Sequence, residues 1–488
     1  MRSRQLQFAF ADSPQGGEDA CATDESVGRA YLLRIAKDML ATDLIAPAAD
    51  TGRLLDEVAS ESNLATALLN VARNKGAPGV DGCSVAEVVG LAPSLLPKLR
   101  RALLEGSYEP GDIRRVWIPK SGGGQRGLGI PNVIDRWVQQ AVLQILQPLY
   151  EPGFHPSSHG FRPHRSTATA IAEAKGYVGQ GYEVVVDLDL SKFFDRVHHQ
   201  RLLGRLGQRI ADLRVLRLIS QMLKAKVVLP DGTRVCTDEG TPQGGPLSPL
   251  LSNIVLDEFD AELQRRGLRF VRYADDCNIF VRSWRAGQRG MASVRRFLEQ
   301  RLRLQVNEEK SKVARPEEIH FLGFRLRKSA EGHVEVHLSA RSKTRLDARI
   351  RELTPRTWGQ SVAACLAGVS RYLEDWMGYF RLCTAESESL FRRFDAHIRR
   401  RVRAIIVRQK KRPRHLYRHL RQCDVSAEAA AATAYCGRGV WFQSHTRGIE
   451  TVYRNQWFHA RLASLWSTWV RLNRPSSQVS VQRLLFEL

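Results

Sequence analysis

The chain has no paired cysteines. Its eight, Cys21, Cys83, Cys236, Cys277, Cys365, Cys383, Cys423 and Cys436, are scattered over 488 residues, and no two stand in a C-x-x-C spacing. That excludes zinc knuckles, zinc ribbons and a disulfide scaffold, and predicts a reduced, intracellular protein. No apolar run approaches the roughly 18 residues of a spanning helix. No apolar segment with a small-residue cleavage site opens the chain, so neither a membrane anchor nor a secretory signal is expected. Acid is scarce as well: 51 Asp and Glu stand against 74 Lys and Arg, a net charge of +23. An excess of that size disfavours a neutral metabolic enzyme. It points to a polyanionic partner, nucleic acid before anionic membrane.

What is present is ordinary globular material, 43% hydrophobic and 26% charged, enough for about three domains. The segment from Asp12 to Ser26 is rich in Gly, Asp, Ser and Glu and predicts a disordered leader. Helical spacing follows in Tyr31, Leu32, Ile35 and Leu40, then in Leu64, Leu68, Leu69 and Ala72 behind a cap at Ser62 or Asn63. Between 113 and 283 short β-branched runs alternate with helical segments, which indicates an α+β domain. The runs include Val116-Trp-Ile118, Val184-Val-Val186 and Lys226-Val-Val-Leu229. From about 340 the strands stop. Phe391, Phe394, Ile398, Val402, Ile405 and Ile406 form a helical stripe. Residues 392–421 around it hold 13 Lys and Arg but one acid, Asp395, so a basic outer face meeting nucleic acid is expected. Trp457, Trp466 and Trp469 lie near helical spacing and predict core packing.

Four segments carry chemistry. In Arg272-Tyr-Ala-Asp-Asp-Cys277, apolar runs on both sides put Asp275 and Asp276 at a hairpin tip, where Asp is also a common turn residue. In Glu183-Val-Val-Val-Asp-Leu-Asp-Leu-Ser-Lys-Phe-Phe-Asp195, strand period places Asp187 and Asp189 on one face. Acidic strand ends from two segments suit a pair of Mg²⁺ ions, which favour carboxylate oxygen and substrate phosphate. Ile118 to Pro131 sets Lys120 and Arg126 on either side of a Gly-rich turn, two cations able to clamp a triphosphate. Glu239-Gly-Thr-Pro-Gln-Gly-Gly245 is a Gly-rich loop that lets backbone approach a bound partner.

Together these motifs resemble a group II intron-encoded reverse transcriptase, or maturase, most closely the bacterial class C type that lacks an endonuclease domain. The resemblance covers about 60–480. It rests further on Lys75-Gly-Ala-Pro-Gly-Val-Asp-Gly82, Gly160-Phe-Arg-Pro-His-Arg165, Thr241-Pro-Gln-Gly-Gly245, Val306-Asn-Glu-Glu-Lys310, Phe321-Leu-Gly-Phe324 and Trp376-Met-Gly-Tyr-Phe-Arg381. It implies a right-hand polymerase. The parts would be a partly disordered leader (1–58), an N-terminal extension (59–112), fingers and palm (113–335), an α-helical thumb (336–415) and a C-terminal DNA-binding region (416–488).

By the same resemblance Asp189, Asp275 and Asp276 are the catalytic metal ligands for two Mg²⁺, with Mn²⁺ as a substitute. Asp189 is preferred to Asp187 because the family places a bulky aromatic five residues on, here Phe194, which selects deoxynucleotides by clashing with a 2′-OH. Lys120, Arg126, Gln243 and Lys310 complete the dNTP site, Lys310 as proton donor to pyrophosphate. Gly160, Arg162, Arg165, Gly244, Gly245, Arg399, Arg400, Arg403, Lys410 and Lys411 are expected at nucleic acid. The partners implied are a group II intron RNA, an RNA template with a DNA primer, target DNA, dNTPs and a second copy of the chain, with no membrane. The setting implied is a bacterial cytoplasm, at the nucleoid. Two other readings share the sequence: a domesticated reverse transcriptase acting in DNA repair or phage defence, and a splicing-only maturase. Retention of all three aspartates and Phe194 disfavours the second. An intron ribozyme around the gene separates the first.

Overall fold

A computed structural model describes residues 24–40, 51–119, 123–355, 357–384 and 387–473. The chain divides into two compact units, Met1–Ala174 with Tyr182–Ala314, and Lys175–Gly181 with Arg315–Leu488.

In the first unit, helices Glu61–Arg73 and Val133–Tyr150 pack together with Ala92–Glu105. Trp137 is wholly buried between them, and its indole N–H donates to the Leu64 carbonyl at 2.7 Å. The Glu61–Arg73 helix is capped by Ser60, whose hydroxyl accepts from the Asn63 amide, not by Ser62 or Asn63 as the sequence suggests. Asn63 is buried inside the helix and bonds the carbonyls of Val58 and Ala141. Tyr31, Leu32, Ile35 and Leu40 fall in one helix, as their spacing predicts. Glu25–Leu40 is a helix, and Leu32 is fully buried in the unit's core, so part of 1–58 belongs to the fold.

Five strands set the frame for the site: β1 (Ile113–Pro119), β2 (Gln125–Ile130), β3 (Val184–Leu188), β4 (Val227–Val228) and β5 (Arg234–Val235). Three more follow, β6 (Arg269–Tyr273), β7 (Asp276–Val281) and β8 (Lys312–Ala314). They form two sheets, β2-β1-β4-β5 and β6-β7-β3-β8. Strand β3 lies between β7 and β8 and buries Val184, Val185, Val186 and Leu188, as a central strand requires.

The second unit contains a hairpin, β9 (Phe324–Lys328) and β10 (Val334–Leu338). Helices Ala340–Leu353, Val362–Phe380 and Ser387–Gln409 follow, then shorter ones to Leu465–Asn473. Phe321-Leu-Gly-Phe324 and Trp376 to Arg381, far apart in sequence, meet here. Phe324 lies 5.3 Å from Phe380 and 6.2 Å from Tyr379, ring to ring. Gly323, at φ +89°, leaves no room for a Cβ beside the Phe380 ring. The apolar stripe of the Ser387–Gln409 helix faces inward, as predicted, with Phe391, Ile398, Val402, Ile405 and Ile406 buried. Among the described residues no helix is long and apolar enough to cross a membrane.

One buried carboxyl makes stability pH-dependent. Asp135 accepts from the Tyr108 hydroxyl at 2.6 Å and the Gly111 amide at 3.2 Å, yet burial outweighs both and pushes it up to about 6. The folded protein therefore holds this proton more tightly than the unfolded chain, where an Asp titrates near 3.8. The contribution is full below that value and is lost as pH rises through the folded one. Against Asp135→Asn, whose side chain does not titrate, wild-type stability in urea should fall between roughly pH 4 and 6 and run level above. A constant difference between the two would contradict the shift.

Candidate active site

The hairpin β6–β7 turns at Ala274-Asp275, with Tyr273 paired to Asp276. Asp275 stands at the tip and Asp276 opens β7. Ala274 takes a left-handed conformation, φ +57°, that a non-glycine residue holds only under constraint. The constraint is Arg272. Its guanidinium is fully buried and donates to the Ala274 carbonyl at 2.9 Å, to Asn253 Oδ1 and Ser158 Oγ, and to both carboxylate oxygens of Asp260. Sequence reading did not single out Arg272. The available sign was a charge inside the apolar run from Phe270 to Tyr273, which demands a buried partner.

Asp189 ends β3 beside this turn. Its amide donates to Ser311 Oγ at 3.0 Å, its carbonyl accepts from Asn307, and its carboxylate lies 3.5 Å from Lys310 Nζ. The Val306–Lys310 motif is thereby tied to the end of β3. Asp187 lies one pleat back, opposite Asn278 and Lys312.

These carboxylates feel one another. Burial first, then Asp189, raises Asp275 above the usual range. Burial first, then Asp275 and Asp189, pushes Asp276 up to about 7, although its side chain keeps an open face to solvent. Asp187 rises to about 7 through burial and then Asp276. Crowded carboxylates of this kind are relieved by a cation, and the all-oxygen donor set fits a hard divalent ion. Among the described residues no three His, Cys, Asp or Glu side chains stand together at metal-ligating range.

A cleft of about 860 Å³ opens over Asp189 and Asp275. Arg126, Phe194, Gln243 and Lys310 also line it, from four separate segments. Arg126 Nε donates to Gln243 Oε1 at 2.9 Å. Lys120 lies outside the described residues.

Residues 118–326 match the family Reverse transcriptase (RNA-dependent DNA polymerase), and residues 343–423 match Group II intron, maturase-specific domain. The chain is 36% identical over 327 residues to Protein YkfC of Escherichia coli K12, covering 58% of this chain and 86% of that protein. It is 38% identical over 204 residues to the group II intron-encoded protein LtrA of Lactococcus lactis subsp. cremoris, 42% of this chain and 34% of that one. The chain belongs to the group II intron reverse transcriptases. It therefore spans most of the length of YkfC and about a third of LtrA. Among solved structures it is similar to a partial Cas6-RT-Cas1–Cas2 complex, with a TM-score of 0.33 and 23% identity over 50% of this chain and 42% of that one.

In this reverse transcriptase several residues expected at nucleic acid have close protein partners. The Arg162 side chain is buried, bonded to Glu151 and to the carbonyls of His155 and Ser158. Its loop thereby supports the Ala274–Asp275 turn, through the His159 amide to the Arg272 carbonyl and the Arg272 amide to the Ser157 carbonyl. A Cβ on Gly160 would come within 2.2 Å of the Ala274 amide nitrogen. Gly244, at φ +142°, would meet the Gly129 carbonyl at 2.4 Å, and Gly245 the Gln139 side chain at 2.2 Å. Close protein neighbours alone account for glycine at all three positions. Arg403 donates to the Tyr453 carbonyl and to Glu450. Arg400 stacks on Trp441 at 4.1 Å and bonds its carbonyl. Both are turned inward because helices from 440 to 459 cover that side, and a guanidinium on a long stem packs well on aromatic rings. Arg165 and Arg399 are half-buried. Lys410 and Lys411 follow the Ser387–Gln409 helix, Lys411 exposed. The exposed cations of the basic window are Arg392 and Arg393 at its start, and Arg408, Lys411, Arg412, Arg414, Arg418 and Arg421 toward its end, where Arg421 also bonds the Val425 carbonyl. Trp466 and Trp469 stack on each other at 5.4 Å on the last helix, while Trp457 sits on a separate short one.

Proposed function

We propose that this reverse transcriptase binds a group II intron RNA, assists its splicing and copies it into cDNA during retrohoming. The observation that carries the reading is the convergence of Asp189, Asp275, Arg126, Phe194, Gln243 and Lys310 on one cleft. Asp189, Asp275 and Asp276 would hold two Mg²⁺, or Mn²⁺ in their place, supplying positive charge that acidifies the primer 3′-hydroxyl and steadies the departing pyrophosphate. Arg126 offers a planar fork to the dNTP phosphates, already oriented by Gln243. Lys120 completes that clamp. Phe194 closes the sugar side of the cleft against a 2′-hydroxyl. Lys310, paired with Asp189 in the free protein, turns to the pyrophosphate and donates its proton there. The exposed cations from Arg408 to Arg421 grip the intron RNA, and Lys410 stands among them. An RNA template with a DNA primer and the target DNA are the remaining partners, in a bacterial cytoplasm at the nucleoid.

The test has two arms. With dNTPs and Mg²⁺, the full chain should extend a DNA primer on a generic RNA template. It should also accelerate splicing of the intron RNA that surrounds its gene. Copying without any effect on splicing removes the maturase role. Splicing without copying removes the polymerase.

A further inference from the structure

Phe194 sits in a single helical turn, Phe193–Asp195, entered through Lys192 at φ +50°. Excluding one hydroxyl by contact requires that this ring be held to a fraction of an ångström. The turn has no regular sheet around it to do so. The ring packs edge-on against Phe193 at 5.3 Å, and the backbone of the turn is held by the loop Glu239–Thr241. The Thr241 amide donates to the Phe194 carbonyl at 2.6 Å, and the Gly240 amide donates to the Val197 carbonyl at 2.8 Å. Glu239 bridges His198. From the other side, His199 Nε2–H donates to the Gly240 carbonyl at 2.7 Å. Gly240, at φ +97°, lies so close that a Cβ would come within 2.9 Å of the Phe194 carbonyl and 3.1 Å of the Asp195 backbone. Phe194, Gly240 and Thr241 all line the catalytic cleft. Thr241 is buried there, and its hydroxyl bonds no protein group.

We infer that the 239–241 loop is a strap that positions Phe194, so that sugar selection depends on Gly240 and on the His199 bond behind it. The inference rests on Phe194 being the sugar gate. A side chain at 240 wedges strap and gate apart. Losing the His199 bond lets the strap drift. Either change moves the ring relative to the sugar, whereas ordinary loop support would affect both kinds of nucleotide alike.

The experiment is single-nucleotide extension by the full chain, giving kcat/KM for a dNTP and for the matching rNTP. Wild type is compared with Gly240→Ala, His199→Ala, His199→Gln and Phe194→Ala. Displacement of a positioned group by about an ångström changes rates by up to about a hundredfold. The dNTP-to-rNTP ratio should therefore fall about tenfold or more in Gly240→Ala, and in the same direction in His199→Ala. His199→Gln, which keeps a donor, should recover most of it. Equal losses for both nucleotides, with the ratio unchanged in Gly240→Ala and His199→Ala, would overturn the strap. His199→Ala keeps the test open if Gly240→Ala does not fold. Phe194→Ala separates the two levels. If it lowers the ratio and the strap variants do not, only the strap fails. If it leaves the ratio unchanged, the gate fails and the strap with it.

Discussion

Asp275→Ala is expected to lower primer extension by about a thousandfold or more while leaving RNA affinity and folding intact. The side chain lines the cleft, but the turn that bears it is held from beneath through the Ala274 carbonyl, by Arg272. Truncation therefore removes a carboxylate without releasing the backbone. The electrostatic sign supports a folded product. Asp275 is among the groups that raise Asp276, so its loss brings Asp276 back toward the ordinary carboxylate range and relieves repulsion. Primer extension, RNA filter binding and a thermal melt on the same preparation measure the three quantities. Loss of RNA binding along with copying would show that the two roles share one surface. A melting point well below wild type would show that the carboxylate supports the fold.

The second large effect is on stability. Arg272→Met should destabilise the protein by about 3–5 kcal/mol, because it leaves a buried carboxylate without its counter-charge. Asp260 is wholly inaccessible and receives two bonds from this guanidinium, at 2.8 and 2.6 Å. Arg272→Lys should recover little, since an ammonium cannot span Asp260, Asn253, Ser158 and the Ala274 carbonyl together. Arg272→Met combined with Asp260→Leu should recover part, the buried charge having been removed altogether. Urea unfolding of the four proteins checks this. A loss below about 1 kcal/mol in Arg272→Met would mean that water reaches Asp260. Where the variant remains folded, copying should still fall, because Ala274 has lost the donor that holds its left-handed turn.

The local placement of the three aspartates and Phe194 is legible in the sequence. Asp275 and Asp276 at a hairpin, Asp189 at a strand end, and Phe194 five residues on are all local patterns. The β-branched runs, the inward stripe from Phe391 to Ile406 and the helices around Leu64 were read in the same way. Other residues have partners that the sequence does not show, for one shared cause. The resemblance puts Arg162, Arg400 and Arg403, with Gly160, Gly244 and Gly245, at nucleic acid. Charge and flexibility do not say what stands opposite. Arg162 faces Glu151, Arg403 faces Glu450, and Gly160 faces Ala274, each brought there by a different part of the chain. The cap of the Glu61–Arg73 helix was misplaced by two or three residues for a related reason. Asn63 is a good capping residue, yet its amide bonds the carbonyl of Ala141, 78 residues away.

The sequence by itself determined the family, the α+β and helical halves and the identity of the acidic strand ends. Those depend on the period-two and period-3.6 repeats of neighbouring residues and on turn chemistry spanning a few positions. Only the tertiary structure decided which cations reach solvent, why Ala274 can hold a left-handed turn, and what stands behind Phe194. Each of those is set by burial and by partners distant in sequence, and a buried charge or a displaced backbone is tolerated only where such a partner arrives.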